Sequence, residues 1–120
     1  MIEEAIADVV TAVTGLDRGD GEDLTVTDFM PMPGAQTKPA HLVVAFSGLS
    51  DTDIGVTVTL AVDASTDPEA AEKVCRALCP TIDRALDATP APRSEWSKTY
   101  ADSYGAYMVE TTLVYPRDDF

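Results

Sequence analysis

Residues 54–63, IGVTVTLAVD, alternate between apolar and other side chains along the whole segment. An apolar residue at every second position is typical of a β-strand that turns one face toward a hydrophobic core. The pattern therefore predicts a strand with one buried face, and the rest of the chain must supply the layer that covers it. The apolar positions are Ile54, Val56, Val58, Leu60 and Val62.

The second face of this strand carries Gly55, Thr57, Thr59 and Ala61, with no charge before Asp63. Small neutral side chains allow another surface to approach closely, and threonine hydroxyls can bond across a sheet or to a partner. We therefore interpret Thr57 and Thr59 as candidate contacts with a partner. The alternative is a central strand whose second face meets one of the helices of the same chain.

The other periodic segments predict a single α+β domain that spans residues 1–120. We expect a mostly antiparallel sheet in the order α-β-β-β-α-β-β, with both helices packed on one face. The predicted elements are a helix at 2–13, strands at 24–30, 41–49 and 54–63, a helix at 68–86, and strands at 94–102 and 106–116.

The second predicted helix has a well-defined start and an expected interruption. Asp67 is a favourable N-cap, and Pro68 follows at the first helical position, where a proline removes no helical hydrogen bond. Pro80 lies within the apolar stripe of the same helix, where a proline removes a backbone bond and clashes with the preceding turn. We therefore expect this helix to be broken at Pro80.

The acidic balance of the chain limits its partners. The sequence has 21 Asp and Glu residues against 8 Lys and Arg residues, for a formal net charge of −13. Because contacts with phosphate need cations, this balance argues against binding to nucleic acid or anionic lipid. It fits either a soluble protein that avoids nonspecific association or one side of an interface with a basic partner. No apolar run is long enough to span a bilayer and the start, MIEEAIADVV, is unlike a signal peptide, so we expect a cytosolic protein with no membrane partner.

No residue pattern predicts catalytic, cofactor or metal chemistry. His41 is the only histidine, and a dyad with Cys75 or Cys79 has no supporting local signature. We interpret both cysteines as small buried apolar residues of the second helix. The acidic loop of residues 17–23 departs from the calcium-binding pattern because Gly19 occupies a ligand position. We therefore predict that the protein is not an enzyme and has no catalytic, cofactor-binding or metal-binding residues.

Residues 30–40, MPMPGAQTKPA, contain three prolines and a glycine and predict a long irregular loop. A loop of this length in a small domain is typical of a contact surface or a mobile segment. Phe120, after a short polar stretch, is either a docking residue or part of a frayed end. The candidate contacts in these two places are Met30, Met32, Gln36, Lys38 and Phe120.

Four segments together resemble the tail terminator proteins of long-tailed bacteriophages. The hairpin is represented by AHLVVAFSGL and DIGVTVTLAVDA, the proline-containing helix by DPEAAEKVCRALCPTIDRAL, and the closing strand by YMVETTLVYP. With the short acidic first helix, these segments are spread over nearly the whole chain, from residue 2 to residue 116. The resemblance lies in the order of these elements.

The resemblance implies a structural protein of the virion, located at the head-proximal end of the tail and assembled in the host cytoplasm. Such proteins form a hexameric ring that caps the tail tube, stops its polymerisation and joins it to head-closure proteins. DNA passes through such a ring without specific binding, and six copies at −13 each would carry −78 and repel phosphate. Asp51 and Asp53, in the turn of the predicted hairpin, are then candidates for an acidic lumen.

Two other functions stay open from the sequence. A neighbouring head-tail connector, for head closure or tail completion, would share the composition and the need for a ring. A small acidic chaperone of the secretion type would also be cytosolic and negative, but it would form a dimer with a hydrophobic groove for a partner segment. The oligomeric state distinguishes a six-membered ring from this dimer.

Overall fold

Two α-helices and one five-stranded sheet make up the fold. The computed structural model describes residues 1–120, apart from the side chain of Asp119. Short 3-10 turns follow the second helix and the last strand, at Leu86–Ala88 and Arg117–Asp119. The helices are α1 (Ile2–Val13) and α2 (Pro68–Ala85), and the strands are β1 (Thr25–Thr27), β2 (Ala40–Leu49), β3 (Asp53–Asp63), β4 (Ser97–Ala101) and β5 (Ala106–Pro116).

The strands are ordered β1-β2-β3-β5-β4, so β3 is central. The pairs β2–β3, β3–β5 and β5–β4 are antiparallel, whereas β1 pairs parallel with β2. β3 is paired along its length on both sides, with Ile54 level with Leu49 of β2 and with Tyr115 of β5. The predicted α+β fold with a mostly antiparallel sheet is confirmed.

Both helices lie on the same face of the sheet, as predicted. The five apolar side chains of the β3 alternation are fully buried beneath them. Burying one large aliphatic side chain stabilises a fold by about 1.5–3 kcal/mol, so this strand is the main attachment between the helices and the sheet. The side chains that pack against it include Ala5, Val9 and Val13 of α1, Cys75, Leu78 and Ile82 of α2, and Val109, Leu113 and Tyr115 of β5.

The predicted start of α2 is confirmed in its local hydrogen bonding. The Asp67 carboxylate accepts a hydrogen bond of 3.0 Å from the Ala70 amide, which is one of the amides that the helix itself leaves without a partner. Pro68 occupies the first helical position. At the other helix, Gly15 follows the end of α1 with a φ of 86°, a left-handed conformation that glycine adopts without steric penalty.

The predicted break at Pro80 is wrong, because α2 continues through this residue to Ala85. Pro80 lies on the exposed side of the helix, and so does Arg76, whose carbonyl loses its usual amide partner. Water can bond to a carbonyl in that position. The proline therefore leaves one solvated carbonyl and does not disturb the buried side of the helix, where Leu78 and Ile82 remain in the core.

Two predicted strands are shorter than expected. The segment 24–30 contributes only β1, because the chain bends at Asp28. The segment 94–102 becomes a strand only at Ser97. Arg93 forms an isolated bridge with Leu113, and regular β4–β5 pairing begins at Ser97 and Glu110. The chain before β4 therefore contains one more residue than the facing part of β5, and this extra residue interrupts the pairing as a β-bulge does.

A polar cluster holds the segment before β4 against the end of α2. Arg93 Nε donates a hydrogen bond of 2.8 Å to Asp83 Oδ1, and Arg93 Nη2 donates one of 2.6 Å to Asp87 Oδ1. Trp96 Nε1 donates to the same Asp83 oxygen at 2.8 Å. The hydrogen bonds from the Arg93 guanidinium and the Trp96 indole lower the pKa of the Asp83 carboxyl. The cluster thus depends on an ionised Asp83.

We expect Asp83→Asn to lower the free energy of unfolding by about 1 kcal/mol, because the amide no longer offers a charge to Arg93. The pKa of Asp83 in the folded state lies below its value of about 3.9 in the unfolded state. The ionised carboxylate therefore contributes fully to the free energy of unfolding above about pH 3.9, and this contribution is lost as the pH falls through the folded-state pKa. Urea unfolding at pH 7 and pH 3 measures both effects, and the difference between wild type and variant should shrink at pH 3. Asp87→Asn, which removes a more exposed contact, is the control and should cost less; equal stabilities of wild type and Asp83→Asn at pH 7 would contradict the prediction.

Candidate assembly surfaces

The β1–β2 loop, residues 28–39, is held on the second face of the sheet by a buried histidine. His41 Nδ1 accepts a hydrogen bond of 2.9 Å from the Thr37 amide, and Thr27 Oγ1 lies 3.0 Å from His41 Nε2. The Thr27 hydroxyl donates to the Phe29 carbonyl at 2.8 Å, which assigns the ring proton to Nε2. His41 is therefore a neutral, fully bonded side chain that ties both ends of the loop to β2. Burial lowers its pKa.

Two further contacts fasten the middle of this loop to the turn between β4 and β5. The Tyr104 hydroxyl donates to the Pro31 carbonyl at 2.7 Å, and Gln36 Nε2 donates to the Tyr104 carbonyl at 3.3 Å. Gln36 Oε1 accepts from the Gly34 amide at 2.9 Å. Gln36 is only 8% exposed. Its amide group anchors the loop within the chain, and its role as a partner contact stays a prediction.

The anchored loop presents Phe29, Met30 and Met32 to solvent, and we call these three residues the loop patch. Met32 is 78% exposed, the largest value among the exposed hydrophobic side chains. Phe29 was missed because the strand pattern of residues 24–30 placed it inside a strand. Lys38 is also exposed, with Nζ 3.7 Å from an Asp63 carboxylate oxygen. Met30, Met32 and Lys38 stay predicted contacts.

The second face of β3 is covered by this loop and by neighbouring side chains, and not by a helix. Thr57 Oγ1 lies 3.0 Å from Thr112 Oγ1 of β5, and Thr59 Oγ1 donates to a Glu110 oxygen at 3.4 Å. Thr59 is 5% exposed in the monomer and its hydroxyl is bonded to Glu110, and its role as a contact stays a prediction. Thr57 is half-buried and stays a predicted contact. Nearer the loop, a small apolar cluster contains Ala61, Ala106 and Met108, with Ala101 and Tyr104 packed against it.

The turn between β2 and β3, residues 50–52, lies at the opposite end of the sheet, and with Asp53 at the start of β3 it is called the hairpin tip. Asp51 and Asp53 are exposed there. Arg117 Nη1 donates to the Ser50 carbonyl at 3.0 Å, which places a positive charge beside the two carboxylates. Phe120 packs on Tyr115, with 5.7 Å between ring centroids, and remains 42% exposed. Asp51 and Asp53 as lumen residues, and Phe120 as a contact, stay predictions.

A second group of exposed apolar residues lies toward the hairpin tip. This tip patch consists of Phe46, Leu49 and Phe120, which lie on the helix-bearing face, whereas the exposed Val114 is level with Gly55 on the second face. β2 runs from the β1–β2 loop to the hairpin tip over 10 residues. At about 3.3 Å per residue the two ends of the sheet are about 30 Å apart. The loop patch and the tip patch are therefore separate surfaces that a single small partner would not cover together.

Ion pairs within the chain occupy most of its basic side chains. The pairs are Arg18–Asp20, Lys38–Asp63, Lys73–Glu69, Arg76–Glu72, Arg93–Asp83, Arg93–Asp87 and Lys98–Glu72. Because 21 acidic residues face 8 basic ones, the surface of the monomer is strongly negative. The loop patch and the tip patch are apolar areas on that surface.

The catalytic dyad considered from the sequence does not form. His41 lies on the second face of the sheet beneath the β1–β2 loop, whereas Cys75 is buried between α2 and the other face. Burial raises the pKa of the Cys75 and Cys79 thiols. A cleft of about 330 Å³ lies elsewhere, between α2 and the α1–β1 connection, and Arg18 at its rim is bonded to Asp20. Neither His41 nor either cysteine lines this cleft.

The acidic loop of residues 17–23 uses its carboxylates internally. Asp17 Oδ1 accepts hydrogen bonds from the amides of Gly19 and Gly21, at 2.6 and 3.3 Å. Among the side chains that the structure describes, no group of three or more His, Cys, Asp or Glu residues is placed to hold a metal ion. None of the described helices combines the length and the hydropathy needed to cross a membrane.

Comparison of the chain with known protein families and with curated protein sequences gives no match. Functional inference therefore depends on the surfaces of the molecule: the loop patch, the tip patch and the negative surface between them.

We expect His41→Ala to lower the free energy of unfolding by about 1–3 kcal/mol, because the Thr37 amide loses its acceptor. The folded pKa of His41 is lowered, so below about pH 6.5 the unfolded state binds the proton more readily and stability falls with decreasing pH. Urea unfolding at pH 7.5 and pH 5.5 measures this loss. The control is His41→Gln, which keeps a neutral hydrogen-bonding group without titrating there; an equal loss in wild type and His41→Gln would contradict the assigned role.

Proposed function

We propose that the chain is a structural assembly protein that forms a closed ring by head-to-tail contact and acts as a phage tail terminator. In this role the ring, expected to contain six copies, caps the tail tube, stops its polymerisation and joins it to the head-closure proteins. The observation that carries the proposal is the separation of the loop patch from the tip patch. Two different patches at opposite ends of a subunit suit a heterologous interface, which generates rings, whereas a two-fold dimer repeats one patch on both partners.

The exposure of the two patches supports their burial on assembly. Met32 in the loop patch is 78% exposed, and Phe46 and Leu49 in the tip patch are each 47% exposed. Large apolar side chains that gather in the open on a charged monomer are typical of interaction sites. Their contact would contribute hydrophobic energy without requiring charge complementarity, which a chain with a charge of −13 cannot offer to its own copies.

The charge of the chain also agrees with passage of DNA through the ring. Like charges on the wall and on the phosphates favour sliding over binding. Asp51 and Asp53 at the hairpin tip are the carboxylates that we place nearest the lumen. The same charge opposes ring closure, so added salt should strengthen assembly by screening the repulsion between copies.

We expect native mass spectrometry across a concentration series to give a six-membered species, and electron microscopy to show it as a ring. Raising the salt from 50 to 300 mM should favour this species.

Met32→Asp should shift the equilibrium toward monomer at least tenfold, because it places a charge in the loop patch. Thr81→Asp, on the exposed side of α2, is the matched control and should leave assembly unchanged.

Other outcomes separate the alternative functions. A stable dimer would exclude the ring and favour the acidic chaperone. If rings form, adding them to polymerising tail tube protein of the same phage distinguishes a terminator from a neighbouring connector. A terminator stops tube growth at substoichiometric ratios, whereas a connector leaves tube length unchanged.

A further inference from the structure

Both lateral edges of the sheet carry backbone groups that no strand of the chain pairs. β4 is the outermost strand at one edge. At the other edge β1 pairs only with residues 41–43 of β2, so the segment Phe46–Leu49 forms the outer edge near the hairpin tip. The two open edges therefore lie at opposite sides and opposite ends of the sheet.

The hydrogen-bond alternation shows which groups of β2 point outward. The Asp63 amide donates to the Pro39 carbonyl at 2.9 Å, and the β2–β3 register continues from this pair. Residues of an antiparallel ladder alternate between bonded and non-bonded pairs, so the odd-numbered residues of β2 before its bulge exchange bonds with β3. The N–H and C=O groups of Phe46 consequently point away from β3, beyond the end of β1.

The same reasoning applies to β4. The Val114 amide donates to the Pro92 carbonyl at 3.0 Å, so even-numbered residues of β5 direct their backbone groups toward the β4 side. Tyr100 is level with Tyr107, an odd-numbered residue. The backbone groups of Tyr100 and of Lys98, two residues earlier, therefore point outward from the sheet.

We propose that β4 of one copy pairs antiparallel with the Phe46–Leu49 segment of β2 in the next copy. This proposal rests on the proposed ring and specifies its interface. β2 and β4 run in opposite directions within the sheet, so two copies placed side by side in the same orientation bring these edges together antiparallel. The occupant of each open edge is then a second copy of this chain, joined by main-chain hydrogen bonds as in strand addition.

Side chains at the two edges fit this pairing. Tyr100 and Phe46 are 52% and 47% exposed, and both lie on the helix-bearing face, where they would form an aromatic cross-strand pair. With Tyr100 opposite Phe46, Lys98 lies nearer the hairpin tip of the next copy. Its ammonium is paired with Glu72 and lies over the Tyr107 ring of its own copy, so the pairing rests on the backbone groups and the aromatic contact and not on charge.

The offset between the edges fits a closed ring. Through the register, Tyr100 is level with Ala40, and Phe46 lies six residues farther along β2. Each copy is thus shifted by about 20 Å along the strand direction relative to the preceding copy. The four strands β2, β3, β5 and β4 together span about 19 Å across the sheet. The resulting strand tilt of about 45° is at the upper end of the 35–45° that is typical of closed barrels. β1 occupies the same column as the incoming β4, nearer the β1–β2 loop.

Proline substitutions test the pairing because they remove outward amides. In Tyr100→Pro and Phe46→Pro the lost N–H makes no bond within the sheet, so each variant should keep the fold, as circular dichroism can verify. Tyr100→Ala and Phe46→Ala keep the amide and are the matched controls. We expect each proline variant to be monomeric by native mass spectrometry at concentrations where wild type assembles. The alanine variants should associate at least tenfold more tightly than their proline counterparts.

Mixing the two proline variants tests the head-to-tail arrangement. Each retains one intact edge, so an equimolar mixture should form a heterodimer and nothing larger. If Phe46→Pro alone forms dimers, the interface is a two-fold contact between β4 strands and the proposal is wrong. Wild-type protein that stays monomeric up to millimolar concentration would also overturn it; Lys98 and the β2 bulge would then be devices that protect the edges.

Failure of the interface can be distinguished from failure of the proposed function. Six-membered rings that form equally well from both proline variants would overturn the strand pairing and leave the ring intact. Open filaments that both variants abolish would support the pairing and contradict the closed ring. If a proline variant does not fold, Phe46→Cys with Tyr100→Cys in a Cys75→Ala, Cys79→Ala background provides the test. Oxidation should then link neighbouring copies, and assembled protein that forms no such link would overturn the proposal.

Discussion

The burial of one face of β3 beneath both helices is the interaction on which the rest of the structure depends. This strand is central, is paired on both sides along its length, and packs against α1 and α2 through fully buried side chains from Ile54 to Val62. Because its side chains alternate, commitment of one face to the helices leaves the other face to a different layer. The β1–β2 loop covers one end of this second face, and small or hydroxyl side chains occupy the remainder. The loop can pack there because both helices lie on the opposite face.

Local patterns predicted the elements whose structure is decided by their own residues. The alternation of β3, the pattern of β5 and the Asp67–Pro68 start of α2 all appear in the structure within about one residue of their predicted bounds. The break at Pro80 failed because the effect of a proline depends on which side of the helix meets solvent. The prediction read Pro80 as part of the apolar stripe because apolar residues flank it in sequence, but at about 100° per residue it lies on the side of the helix opposite Leu78. The structure places it there, with its ring and the freed carbonyl on the outside.

The candidate surfaces were less predictable because burial in a loop depends on distant residues. Gln36 looked like an exposed polar residue until Tyr104, remote in sequence, accepted its amide. Thr59 looked available until Glu110 reached across from the neighbouring strand. Phe29 was predicted to lie inside a strand at residues 24–30. That strand, β1, pairs with β2 alone and ends at Thr27, which leaves Phe29 in the loop. In each case the deciding contact joins residues far apart in the chain, and the local spacing of apolar residues in the sequence does not predict such contacts. Met30, Met32 and the two tip aspartates needed only exposure, which proline, glycine and turn residues do indicate.

An acidic chain that assembles with itself must obtain its attraction from something other than complementary charge. In the proposed ring, apolar patches at the two ends would supply a contact that does not depend on the sign of the charge. The unpaired strand edges would supply hydrogen bonds that surface charges do not replace. Edge pairing also leaves both faces of the sheet as they are in the monomer. The helices would stay on one side of the ring wall, and the face with Gly55 and Thr57 would stay on the other. If that second face lines the passage, its small neutral side chains offer phosphate no cation to bind, while the carboxylates of the hairpin tip repel it at one rim. Beyond the β1–β2 loop, Gly55 and Thr57 then have a physical reason to be small and neutral, because basic side chains there would bind phosphate and large ones would obstruct the passage.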